Sequence, residues 1–289
     1  MISLEQTAYQ VIQALKRHKV SDYEISLSAS SGVSTAVRLG KVETLEYHLD
    51  KSLDINVYLG QAKGHISSVD LSEGGILKAV ESACLIAKYT QNDPFSGLAP
   101  KDLMAFDVPD LDMYHPWELD PSHSIDLATH CEAQALNHSG IENSDGAEVS
   151  SYQGEGLYAN SNGMMSVQKG ARHSLNCSVI AKQNKDMQTA YEYTVALDAK
   201  DLQAPEWVGD RVAKIAISKL GARSLASQKC PVIFSPRVSS GLFSQLIGAL
   251  SGASQYKKAT FLLDSIDKLI LPESISILEK PFSKKTIGA

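Results

Sequence analysis

An α+β fold is predicted by three observations. Apolar residues recur at helical spacing in four stretches, they alternate with period two between those stretches, and the alternating runs meet at short turns carrying Gly or Asn. The order helix, antiparallel meander, helix is read twice, and the start of a largely β third module follows. The expected boundaries are 1–95 for a first α+β module, 96–121 for a connector, 122–228 for a second α+β module and 229–289 for an incomplete C-terminal module.

Ser3 starts the first helix: its hydroxyl is placed to accept from the amide of Gln6 while the Gln6 side chain reaches back, a capping box. Leu4, Ala8, Val11, Ile12 and Leu15 then share one face. After Ser21-Asp22 the period becomes two. Tyr23 to Leu27, Val33 to Leu39, Val42 to Tyr47, Leu53 to Leu59 and His65 to Val69 read as strands, with Gly40-Lys41 and Gly60 to Gly64 as turns. A helix over Ser72–Tyr89 presents Ile76, Leu77, Val80, Cys84 and Ala87 and stops before Asn92-Asp93-Pro94. The connector carries Asp107, Asp110 and Asp112, yet lacks the Gly and terminal Glu of a calcium loop; Val108, Leu111, Tyr114 and Trp117 read as side chains pinning a linker to a surface.

The second module opens with a helix over Ser122–Leu136 and continues through strands at 147–152, 156–159, 164–170, 174–182 and 188–196, with Asn162-Gly163 as a tight hairpin. A helix from Pro205 to Leu220 closes it, with Trp207, Val212, Ile215 and Ala216 facing inward. The segment 21–26 is echoed at 144–150, which suggests a duplicated plan. Pro231 to Phe234 reads as a buried strand, Val238 to Ala253 as a helix rich in small residues, and 269–271 and 275–278 as further strands.

Twenty-seven Lys and Arg against 33 Asp and Glu leave a net charge of −6, which argues against direct nucleic-acid binding. No apolar run is long enough to cross a membrane, and Cys84, Cys131, Cys177 and Cys230 lie too far apart for a disulfide framework or a metal clip. A cytoplasmic protein with reduced thiols is expected. His123 and His130 are two helical turns apart, about 10.5 Å, too far to share one metal, and His138 lies beyond them. No serine-hydrolase elbow, zincin pair, phosphate loop or dinucleotide turn occurs.

Four segments taken together carry a resemblance: Gln203-Ala204-Pro205-Glu206-Trp207-Val208-Gly209, the connector from Phe106 to Pro116, Ala171-Arg172-His173-Ser174-Leu175, and Gly241-Leu242-Phe243 through Asp264-Ser265. They resemble the PmbA/TldE branch of the TldD/PmbA peptidase family, the so-called modulators of DNA gyrase, along the chain to about Leu278. Lys280 to Ala289 departs from the pattern, so a C-terminally shortened member is expected. The resemblance implies a two-subunit peptidase acting on unfolded peptides of microcin or antitoxin type. The TldD subunit carries zinc on a His-Glu-x-x-x-His helix, and its partner lacks the metal site. Aligned on Gly248, this chain places Ser244, Gln245 and Ala249 at the His, Glu and His positions in that order.

None of the three can do the original work. A serine hydroxyl is a poor zinc ligand, an amide does not accept a proton as a carboxylate does, and a methyl group has no lone pair. Gly241, Gly248 and Gly252, with Ser244 and Ser251, give the helix a small-residue face suited to close packing. The resemblance thus implies a non-catalytic partner without catalytic or metal residues or cofactor of its own, with zinc only in a TldD-like subunit and an extended peptide as substrate. Two other expectations are a regulator that binds gyrase without a peptidase role, and an autonomous hydrolase with Ser244 as nucleophile and Gln245 as oxyanion donor.

Overall fold

Ser3 forms the capping box: its hydroxyl accepts from Gln6 N–H at 3.2 Å and its own N–H donates to Gln6 Oε1 at 3.1 Å. The computed structural model describes residues 3–287. The sequence readings that touch Met1, Ile2, Gly288 and Ala289, the polar start and the altered end, fall partly outside the described residues. The helix begun at Ser3 is α1 (Leu4–Leu15), followed by β1 (Asp22–Arg38), β2 (Lys41–Leu59), β3 (Ala62–Ser68) and α2 (Glu73–Tyr89). The second set is α3 (Pro121–Leu136), β4 (Ile141–Asn160), β5 (Met165–Gln183), β6 (Asp186–Ala196) and α4 (Pro205–Ser218). Then come α5 (Pro236–Leu250) and α6 (Gly252–Tyr256).

The six strands form one antiparallel sheet in the order β3-β2-β1-β4-β5-β6, so the two meanders join where β1 meets β4. That ladder runs from Glu24–Asn160 to Val37–Ala147, and its midpoint lies between Ser30–Gly154 and Ser31–Gln153. Glu24 and Glu148, the matching residues of the sequence echo, lie six pairs to either side of Ser30–Gly154. The short strands read from the sequence are parts of long ones: β1 has 17 residues, β2 and β5 have 19 each, and β4 has 20. Ser28 to Gly32 looked like a break because it is polar, but ladder hydrogen bonds come from the backbone and continue through it.

Two cores lie under the helices. Ile25 and Leu27 of β1, Leu53, Ile55 and Val57 of β2 and Leu157 and Ala159 of β4 are buried with α1 and α2. Val33 and Val37 of β1, Ala147 and Val149 of β4 and Leu175, Cys177 and Val179 of β5 are buried with α3 and α4. The inward residues of β1 are all odd-numbered, and no bulge falls on β1 between them, so both helix pairs cover the same face. Gly209 lets α4 approach α3, since a Cβ there would overlap the Cys131 carbonyl oxygen.

Details differ from the sequence reading. The β1–β2 turn residues are Leu39 and Gly40, both at positive φ (50° and 70°), rather than Gly40 and Lys41. Trp207 is 42% exposed because its ring carries the Arg211 guanidinium, 5.3 Å from the centroid, instead of entering the core. Leu77 also faces out.

Of the described residues, 3–222 and 282–287 form one compact unit and Arg223–Pro281 a second. The second holds α5 and α6 and no strand among its described residues. The expected strands at 231–234, 269–271 and 275–278 are therefore corrected to irregular chain, with Ile233 97% exposed. An apolar run becomes a strand only where a neighbouring strand receives its N–H and C=O groups, and none is at hand within this unit.

Candidate functional site

Between the two helix pairs the middle of the sheet is uncovered. A cavity of about 610 Å³ sits over Ser31, Val33, Tyr47 and Ser151, with Trp117 and Glu118 at its rim. A second, of about 260 Å³, shares Ser31 and Gln153 with it and extends toward Leu49, Lys51 and Lys169. Together they make a trough, with Glu118 and Asp120 at one end and Lys51, Lys169 and Glu155 at the other, Lys169 Nζ lying 4.0 Å from Glu155 Oε2. On its floor the Gln153 Oε1 atom is buried without a hydrogen-bond donor.

The connector forms one wall and is moored by a buried histidine. His173 is fully buried on β5; its Nε2 faces the His115 carbonyl at 2.9 Å and its Nδ1 faces Ser151 Oγ at 2.9 Å. A carbonyl only accepts, so Nε2 carries the proton and Nδ1 accepts from the serine hydroxyl. Trp117 stands edge-on to the same ring, with centroids 5.5 Å apart. A little upstream the Met113 carbonyl accepts from Ala171 N–H at 2.9 Å, so the connector lies against the β5 edge. The Ser151–His173 pair resembles an activated hydroxyl, but both side chains are enclosed, and what the pair secures is the connector. The sequence reading assigned the pinning to Val108, Leu111, Tyr114 and Trp117 and gave His173 no part in it. Its signal was a lone histidine on the inward phase of an otherwise apolar strand, between Ala171 and Leu175.

Other predicted groups are dispersed. Asp110 Oδ1 accepts from Asp112 N–H, and Asp112 lies 3.2 Å from His115 Nε2. His138 donates through Nε2 to Asp210 Oδ1 at 2.7 Å, and the His123 ring stands edge-on to Trp117. Cys131 and Cys177 are both buried as thiols; the hydrogen bond between them, reinforced by burial, drives the Cys131 pKa far up and keeps it protonated. Among the described residues no three His, Cys, Asp or Glu side chains converge to hold a metal.

On α5, Ser244 is exposed and its hydroxyl donates to the Ser240 carbonyl at 2.9 Å, one turn back. Gln245 is exposed and Ala249 half-buried. A Cβ placed on Gly241, Gly248 or Gly252 would meet no described atom within 4 Å, so the small-residue face has no close neighbour. Ser244, Gln245 and Ala249 offer zinc one neutral hydroxyl, a poor ligand, one amide and no third donor. This donor set does not fit the metal. Among the described residues no helix is long and apolar enough to cross a membrane.

Three family models match the chain: PmbA/TldA metallopeptidase domain 1 at residues 23–87, the central domain at 114–220 and the C-terminal domain at 227–289. Metalloprotease PmbA of Escherichia coli O157:H7 is 43% identical over 267 residues, covering 92% of this chain and 59% of that protein. A PmbA homolog of Haemophilus influenzae is also 43% identical, over 89% of the chain and 57% of its own length. This chain therefore spans less than two thirds of these relatives. Among solved structures, a Bacteroides thetaiotaomicron protein carrying the name modulator of DNA gyrase superposes over the whole chain, and over 67% of its own, with a TM-score of 0.89 at 24% identity. TldE of Thermococcus kodakarensis covers 90% of the chain and 58% of its own, with a TM-score of 0.70 at 17% identity. These two likenesses show the fold.

Proposed function

The chain belongs to the PmbA/TldD metallopeptidase family, and from that membership we propose that it acts as a non-catalytic subunit of a zinc peptidase whose metal is carried by a TldD-like partner. The observation that carries this reading is the donor set on α5. By the family resemblance Ser244, Gln245 and Ala249 take the His, Glu and His positions of the metal helix, and a peptidase zinc needs three protein ligands and a base for its water. The chain's contribution is then to complete the enzyme around the substrate. The trough supports this role, because it runs over the uncovered middle of the sheet and carries charged side chains at both ends, which suits an extended peptide with an N–H donor at every residue but proline and a charge at each terminus.

Metal analysis tests the reading. After incubation with zinc and desalting, the purified chain is expected to retain no stoichiometric metal, whereas one tightly held zinc per chain would overturn the proposal.

A further inference from the structure

The β1–β2 hairpin outgrows its cover. β3 pairs with β2 only from Leu53 to Leu59, so Lys41 to Ser52 has β1 on one side and an open edge on the other. Leu45, Tyr47 and Leu49 are exposed there, Tyr47 at 68% and Leu49 at 74%. The matching extension of β5 is treated differently, because the connector lies against it and Met113 takes the Ala171 N–H. Matching the two halves of the sheet by their registers puts Lys51 where Ala171 stands, and no described segment lies along β2 there.

The direction of the backbone groups follows from the next turn. A two-residue turn at Gly60-Gln61 closes on Leu59–Ala62, which makes that a hydrogen-bonded pair. No bulge interrupts β2 between Leu59 and Thr44, so Leu45, Tyr47, Leu49 and Lys51 all turn N–H and C=O toward the open edge. Edges of this kind are ordinarily blunted by lysine, proline or a central bulge. Val42 to Leu49 contains neither lysine nor proline, and its bulge, at Glu43, lies near the hairpin end.

We propose that this edge docks the same edge of a second copy of the chain, antiparallel, with Tyr47 on the two-fold axis. The argument is self-complementarity. With Tyr47 opposite Tyr47, Leu45 meets Leu49, Glu46 meets His48 and Glu43 meets Lys51, and symmetry repeats each pairing. Moving the axis to Glu46 sets Lys41 against Lys51 and Glu46 against itself. Moving it to His48 sets Glu46 against Asp50 and Leu45 against Lys51. One register brings unlike charges and apolar side chains together, and both neighbouring registers oppose like charges. The result is one continuous sheet through two copies, an association separate from any contact with a TldD-like subunit.

The test uses the whole 289-residue chain. Sedimentation equilibrium over a micromolar concentration series is expected to give twice the chain mass. In a Cys84→Ser, Cys230→Ser background, Tyr47→Cys should form a covalent dimer under mild oxidation, since residues in a hydrogen-bonded antiparallel pair have Cα atoms about 5.5 Å apart, within disulfide reach. Tyr89→Cys, at a 77% exposed position at the end of α2, should form no covalent dimer on the same treatment. Glu43→Lys should weaken the dimer about tenfold by facing Lys51, and Glu43→Lys with Lys51→Glu should restore it. A monomer at all concentrations would overturn the proposal. So would a dimer that neither cross-links at Tyr47→Cys nor responds to the charge reversals, or an edge that pairs only with a TldD-like protein.

Discussion

His173 shows how one side chain carries structural information across the molecule. Its ring accepts from Ser151 on β4 and donates to the His115 carbonyl of the connector, so a non-polar replacement strands two buried polar groups at once. His173→Phe is expected to cost about 2–4 kcal/mol in urea unfolding, the sum of two unsatisfied groups, and to make residues 108–117 the first site of proteolytic cleavage. A change below ~0.5 kcal/mol would show that the mooring contributes little. Asp210 offers a test by pH. Gln134 Nε2, His138 Nε2 and Lys214 Nζ donate to it at 2.9, 2.7 and 3.1 Å, and these bonds, in that order of effect, hold its carboxyl well below the usual range. A depressed folded-state pKa stabilises the fold above the unfolded value of about 3.9, and that contribution is lost as pH falls through the lower, folded value. Asp210→Asn should therefore flatten the fall in stability below about pH 4; an unchanged acid profile would contradict the assignment.

At the scale of elements, legibility followed the range of the interaction that decides each one. Ser3 and Gln6 are three residues apart, and their capping box is as readable in the sequence as in the structure. The pairing of Glu24 with Asn160 that fuses two meanders into one sheet has no local signature, and only the weak echo at 144–150 hinted at it. Pro231 to Phe234 failed for the converse reason, being apolar enough for a strand but without a partner to pair with. The α5 helix was read nearly in place, yet its small residues have no close neighbour, so the packing expected of them is absent among the described residues. Restoring the motif tests what that helix lacks. Ser244→His, Gln245→Glu and Ala249→His together supply two imidazoles and a carboxylate, whereas a working site needs a third ligand and oriented supporting groups. The triple variant is expected to bind zinc weakly and to hydrolyse no peptide. Robust, chelator-sensitive hydrolysis by the variant alone would show that the rest of the site is already present in this chain.

For the whole molecule, the functional reading rests on an asymmetry between family membership and chemistry. Three matched domains place the chain in a metallopeptidase family, while on the proposed alignment of α5 the positions of the metal helix carry a hydroxyl, an amide and a methyl group. That proposal comes from the sequence, because the identity of candidate ligands is written directly in it. The trough was not legible, since Ser31, Tyr47, Trp117 and Gln153 come together only when the two meanders join in one sheet and the connector lies against it. The central claim is that this chain completes an active site whose zinc belongs to another subunit. Hydrolysis of an extended peptide, measured for the chain alone, a TldD-like subunit alone and their mixture, tests it most directly. The account predicts no turnover by the chain alone and a chelator-sensitive rate in the mixture well above that of the partner by itself; turnover by the chain alone, or a mixture no faster than the partner, would contradict it.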